Sequence, residues 1–192
     1  MTDTATRRFA ADDLRDFIAR ALTAVGLPGP DAADCARLMV ASDLAGFATH
    51  GIFRTGQYVK RIRAGGINVT PRISTVLESP ATAVVDGDNA MGHLVMQYAA
   101  RLAIDKAAES GCAWVGARNS NHAGAGATYV AMASDRNMIA LYGTNGSANH
   151  MAPWGSAELM LGTNPIAAAI PGLEEPPVVM DIATTVSSFG KV

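Results

Sequence analysis

ATAVVDGDNAMGHLVMQYAARLAIDKAAESGCAWVGAR, residues 81–118, reads as strand, helix, strand. ATAVVDG is short, apolar and β-branched, and is bounded by Ser79-Pro80 before it and Gly87-Asp88 within it. The middle of the stretch places Leu94, Tyr98, Leu102 and Lys106 at intervals of four, and Gly111 supplies a helix stop. CAWVGAR then returns to strand character. A helix joining two strands of this kind predicts an α/β sheet region, and the flanking sequence extends the alternation. RISTVLE precedes as a further strand. GATYVAMASDRN follows as a helix, then MIALYGT, PIAAAI and PVVMDI as strands.

Working back towards the N-terminus, the pattern becomes helical. Leu14, Phe17, Ile18, Leu22 and Val25 fall at helical spacing, Asp12 and Asp13 suit a helix N-terminus, and Gly26 with Pro28 marks a stop. A second helix is expected from Asp31, read as its N-cap, with Cys35, Leu38 and Met39 towards the core. A third is expected from Gly51 to Ala64, closed by Gly65-Gly66. The shift in character near residues 65–72 predicts two parts: a helical segment over 1–70 and an α/β segment over 71–192.

Composition narrows the function. A chain of 192 residues with 49% hydrophobic content can bury a core. A net charge of −2 provides no basic field for a nucleic-acid backbone, and Lys60, Arg61 and Arg63 read as a solvated helix face. Cys35 and Cys112 are far apart with no ligand-spaced neighbour, which argues against zinc and fits a reduced, cytoplasmic protein. The four histidines, His50, His93, His122 and His150, are unclustered in sequence, so no catalytic metal is expected. No apolar run reaches the roughly 18 residues a membrane span needs, and no export signal is evident.

If the third helix extends back through the Thr49-His50-Gly51 turn, His50, Arg54 and Tyr58 align at i, i+4 and i+8. Such a stripe can hold a small acid. Arginine matches a carboxylate with two parallel hydrogen bonds, tyrosine adds a neutral donor, and histidine titrates near neutral pH. A stripe of three polar residues also arises on an ordinary solvated face, and residue types alone leave both readings open. A second pattern lies at the strand ends. CAWVGAR runs into Asn121-His122, MIALYG into Thr144-Asn145, and VVM into Asp181, which points to one polar cleft or to ordinary turn chemistry. GAGATY at 124–129 lacks the third glycine of a dinucleotide fingerprint and no phosphate-binding P-loop is present, so a dinucleotide would be bound by other means. Thr49, His50 and Asp181 could also make a hydroxyl, imidazole and carboxylate set for hydrolysis, although no nucleophile elbow accompanies them.

These residues lie in stretches that together resemble one family. SDLAGFATHGIFRTGQYVKRIRAGGIN, VVDGDNAMGHLV, NSNHAG, TNGSANHMAPWG, LGTNP and VVMDIATT, in this order, are similar to the malate/L-lactate dehydrogenase family, whose members reduce 2-oxo or cyclic 2-imino acids with NAD or NADP and lack a conventional Rossmann domain. The resemblance implies an N-terminal helical segment, an α/β sandwich with a mixed sheet, and a homodimer. It implies His50 as proton donor, assisted by Thr49 and Asp181, with Arg54, Tyr58 and His122 facing substrate. Asn121, Thr144, Asn145, Gly162, Thr163, Asn164, Pro165, Ala183 and Thr184 would surround the cofactor. Thr49 stands where the family more usually has serine, and Ala123 where it has phenylalanine. The family's chains continue beyond the ATTVSSFGKV helix start, so this chain resembles a C-terminally truncated member, and a binding module without turnover is the alternative that follows.

Overall fold

The computed structural model describes residues 8–146 and 149–185. Helix α1 (Ala11–Thr23) carries Asp12 and Asp13 in its first turn, where the positive end of the helix dipole favours them. Ile18 and Leu22 are buried, whereas Phe17 is 51% exposed and lies off the core stripe. Helix α2 spans Gly29–Leu44. Its N-cap is Pro28, which makes no side-chain cap bond, and Asp31 sits inside the first turn instead of capping it.

The expected third helix is broken. Residues Ala48–His50 and Ile52–Arg54 form two short 3₁₀ turns on either side of Gly51, and only Thr55–Arg63 is α-helical (α3). Lys60, Arg61 and Arg63 are exposed, as a solvated face requires. One core gathers Ile18, Leu22, Leu27, Cys35, Met39, Tyr58 and Ile62 with Met91 and Leu94, so the helical segment packs directly on the chain after residue 90.

Strands β1 (Ser74–Glu78) and β2 (Thr82–Ala90) pair antiparallel, and β3 (Trp114–Ser120) pairs with β2 in parallel. This is a mixed three-stranded sheet. Helix α4 (Gly92–Ser110) makes the crossover between β2 and β3 and ends at Gly111, whose φ of 80° lies in the left-handed region. Val95 and Ala99 of α4 are packed with Val85 of β2.

A second three-stranded sheet is wholly antiparallel, in the order β4 (Ala140–Gly143), β5 (Ile166–Ile170), β6 (Val178–Ile182). Helix α5 (Ala127–Ser134) covers one face, with Val130 against Ala167 and Ala169. Leu141, Ile166, Ile170, Val178, Met180 and Ile182 are exposed among the described residues. The helix start expected after Ala183 lies outside the described residues from 186 onwards. Among the described residues, no helix is long and apolar enough to cross a membrane.

Candidate active site

The two 3₁₀ turns and α3 place one group of polar side chains together. Thr49 Oγ1 lies 3.0 Å from His50 Nδ1. The His50 ring stacks near-parallel on His122, with centroids 5.7 Å apart and planes 17° from each other. Tyr58, 2% exposed on the inner face of α3, has its hydroxyl 2.7 Å from His122 Nδ1. His50, His122 and Tyr58 therefore converge although they lie on three separate pieces of backbone. The convergence does not come from a continuous helical stripe.

Arg54 closes the turn on itself. Its Nε donates to the Thr49 carbonyl at 2.8 Å and its Nη1 to Gln57 Oε1 at 2.7 Å. Two of the guanidinium's donor nitrogens are thus engaged locally, and a two-pronged hold on a carboxylate would require Gln57 to give way. Tyr58 is buried with its hydroxyl directed at His122 Nδ1.

Electrostatics separate the histidines. His122 keeps an exposed face but sits in crowded surroundings, and desolvation, followed by Arg54, His50 and Arg61, lowers its pKa to about 4. His93, the second residue of α4, is completely enclosed, and burial with help from His122 and His50 lowers its pKa to about 3. Both of its nitrogens are buried without a hydrogen-bond partner among the described residues. Its Nε2 would lie 2.7 Å from a Cβ at position 124, so Gly124, at φ +75°, is required for the loop to close over it.

Asn121 faces inward. Its Nδ2 donates to Asn89 and Ala90 at 2.9 Å, and its Oδ1 accepts from Arg61 at 2.9 Å. The amide thereby clamps the end of β2, where Asp88 and Asn89 hold positive φ, onto α3.

The remaining residues form a second group at one end of the antiparallel sheet. Gly143 pairs with Ile166 and Ile166 with Ile182, so Thr144-Asn145, Gly162 to Pro165, and Ala183-Thr184 emerge side by side. Asn164 Oδ1 accepts from the Gly146 amide at 2.8 Å. Thr184 donates to the Thr163 carbonyl from its amide at 3.0 Å and its hydroxyl at 3.1 Å, and the Pro165 carbonyl accepts from Thr144 N at 3.3 Å. Gly162 and Gly146 press together so closely that a Cβ at 162 would lie 2.6 Å from the Gly146 oxygen. Thr144, Asn145 and Thr184 are exposed. Asp181, on β6, is directed at α5, its Oδ2 accepting from the Ala127 amide at the start of that helix at 2.8 Å. A carboxylate there is favoured by the helix dipole.

Asp43 belongs to the site although no motif marks it. Its Oδ2 accepts from Ile52 N at 2.8 Å, and a side chain at Gly51 would overlap its carboxylate. One signal was available: an acid in the last turn of a helix opposes the dipole, so Asp43 near the end of α2 calls for another reason to be there. His93 carried no comparable signal. A histidine at a helix start is common, and only the packing buries it.

The whole arrangement has relatives. The malate/L-lactate dehydrogenase family model matches residues 9–192. The chain is 42% identical over 185 residues to a malate dehydrogenase of Pyrococcus abyssi, covering 96% of this chain and 51% of that protein. It is 42% identical over 178 residues to an L-sulfolactate dehydrogenase of Methanocaldococcus jannaschii, covering 93% and 51%. The solved malate dehydrogenase of Pyrococcus horikoshii OT3 superposes with a TM-score of 0.94 at 41% identity, over 100% of this chain and 54% of that one. The chain thus spans about half the length of the relatives it matches. With the family model covering the chain from residue 9 onwards, and with helices and both sheets reproduced in a solved member, this chain belongs to the malate/L-lactate dehydrogenase family.

Proposed function

We propose that this chain contributes to an oxidoreductase that interconverts a small 2-oxo (or cyclic 2-imino) acid and its 2-hydroxy (or amino) acid, with His50 as proton donor. The observation that carries the proposal is the Thr49–His50–His122–Tyr58 cluster beside Arg54, which joins an orientable imidazole to a cationic side chain in one place. The Thr49 hydroxyl holds the Nδ1 edge of His50, and Nε2 would exchange a proton with the reacting oxygen. Arg54 attracts the substrate carboxylate, and its bond to the Thr49 carbonyl couples that binding to the turn that carries His50. His122 adds a donor beside the same oxygen, and Asp181 completes the relay.

The polar end of the second sheet suits a nicotinamide dinucleotide, because its exposed groups are neutral hydrogen-bonding side chains on loops that are braced against each other. Thr144, Asn145 and Thr184 would contact NAD or NADP, Gly162, Thr163, Asn164, Pro165 and Ala183 would shape the loops, and Asn121 would hold the neighbouring β2 end. The bound cofactor would supply or accept the hydride. We further propose a cytoplasmic homodimer in which residues 1–70 carry the proton donor and residues 71–192 the cofactor loops.

The test is loss of reduced-nicotinamide absorbance on mixing the protein with NADH or NADPH and a panel of 2-oxo acids. Turnover of at least one acid supports the reading, and none across the panel opposes it. The alternative reading is a binding module without turnover. Calorimetry that detects ligand binding in a protein with no absorbance change would favour it.

A further inference from the structure

Tyr58 is buried, and a buried phenol must place its proton on an acceptor. Its hydrogen-bond partner among the described residues is His122 Nδ1, at 2.7 Å. The Gly124 amide points at the same nitrogen from 3.4 Å, within the loop that carries His122. Two donors therefore converge on one ring nitrogen. A nitrogen that receives a hydrogen bond carries no proton of its own, so in the neutral ring the proton resides on Nε2.

The surroundings reinforce this. Among the described residues, the titratable groups that act on the ring are His50 and Arg54 on the 3₁₀ turns, Tyr58 and Arg61 on α3, and His93 on α4, and none of these is a carboxylate that would stabilise an imidazolium. Burial raises the Tyr58 pKa, which keeps the phenol protonated and donating. The ring of His93 packs perpendicular to that of Tyr58, with centroids 5.4 Å apart, and limits its movement.

We propose that Tyr58 is a positioning residue that locks His122 as its neutral Nε2–H tautomer, so that His122 is a fixed hydrogen-bond donor while His50 is the imidazole that exchanges the proton. The division of labour rests on the oxidoreductase reading; the tautomer does not. A lock of this kind gives the reacting oxygen a donor of constant protonation. It also removes Tyr58 from the residues expected to touch substrate.

Long-range proton–nitrogen NMR of the imidazoles in the 192-residue chain tests the lock without any turnover, with His122→Asn identifying the His122 signals by their loss. At neutral pH the wild-type chain should show the Nε2–H pattern for His122, and Tyr58→Phe should convert it to a mixture of tautomers. An Nδ1–H or imidazolium pattern in the wild-type chain overturns the proposal, and so does an unchanged pure Nε2–H pattern in Tyr58→Phe. The wild-type spectrum decides by itself if the variant does not fold. Because no turnover enters the measurement, a missing oxidoreductase activity and a missing lock are distinguishable.

Discussion

The Asp43 carboxylate accepts a 2.8 Å hydrogen bond from the Ile52 amide across a backbone that only glycine at position 51 allows to pass. This contact, made by a side chain at the end of α2, sets the break between the two 3₁₀ turns and hence where His50 stands relative to Arg54. Gly51→Ala forces the carboxylate out, and Asp43→Ala leaves the Ile52 amide without its partner. Each should cost about 1–3 kcal/mol in urea unfolding. Asp43→Asn retains an acceptor and should cost less than either. Because both changes break one contact, the double variant should lose less than the sum of the two.

His93 makes the stability of the chain sensitive to acid. Its folded pKa is lowered to about 3, against an ordinary value of 6.5, so the unfolded state takes up the proton first. The stabilisation is fully present above about pH 6.5 and is lost as the pH falls from there towards 3. The slope from this one group is about 1.4 kcal/mol per pH unit. His122 acts in the same direction. His93→Leu should remove the His93 share of the slope, with a change at neutral pH of less than about 1.5 kcal/mol, since neither nitrogen has a partner to orphan. Urea midpoints measured from pH 7 to pH 4 check this.

Arg54 is expected to act on substrate binding and, through the Thr49 carbonyl, on the turn itself. Arg54→Lys keeps the charge but loses the planar fork and the Nε bond, so KM for the 2-oxo acid should rise roughly 10–100-fold. For a substrate analogue lacking the carboxylate the rise in KM should largely disappear, leaving only the smaller effect transmitted through the Thr49 turn. Steady-state kinetics with the acid and its amide make the comparison.

Much of this was legible in the sequence, and the exceptions share a cause. The β2–α4–β3 unit announces itself through β-branched runs, four-residue spacing and Gly111, all of which are local. Lys60, Arg61 and Arg63 are exposed as their charge suggested. The break at Gly51 was not legible, because it depends on Asp43, eight residues away and reached only after α2 has turned back. PIAAAI and PVVMDI were readable as strands, but short apolar runs do not name their partners, so the separate antiparallel sheet was hidden. Residue types drew attention to His50, Arg54 and Tyr58 through a helical stripe that the chain does not form. Tertiary packing of Tyr58 on His122 brings the group together instead. Asp181 was expected at the end of a strand, and its engagement with the α5 amide is a contact that only the fold reveals.

The central claim is that His50 donates the proton, and one comparison tests it most directly: kcat/KM for 2-oxo acid reduction in wild type and in His50→Ala. The cluster predicts a loss of about 10²- to 10⁴-fold, the usual contribution of a positioned general acid. An undiminished kcat/KM in His50→Ala would contradict the account.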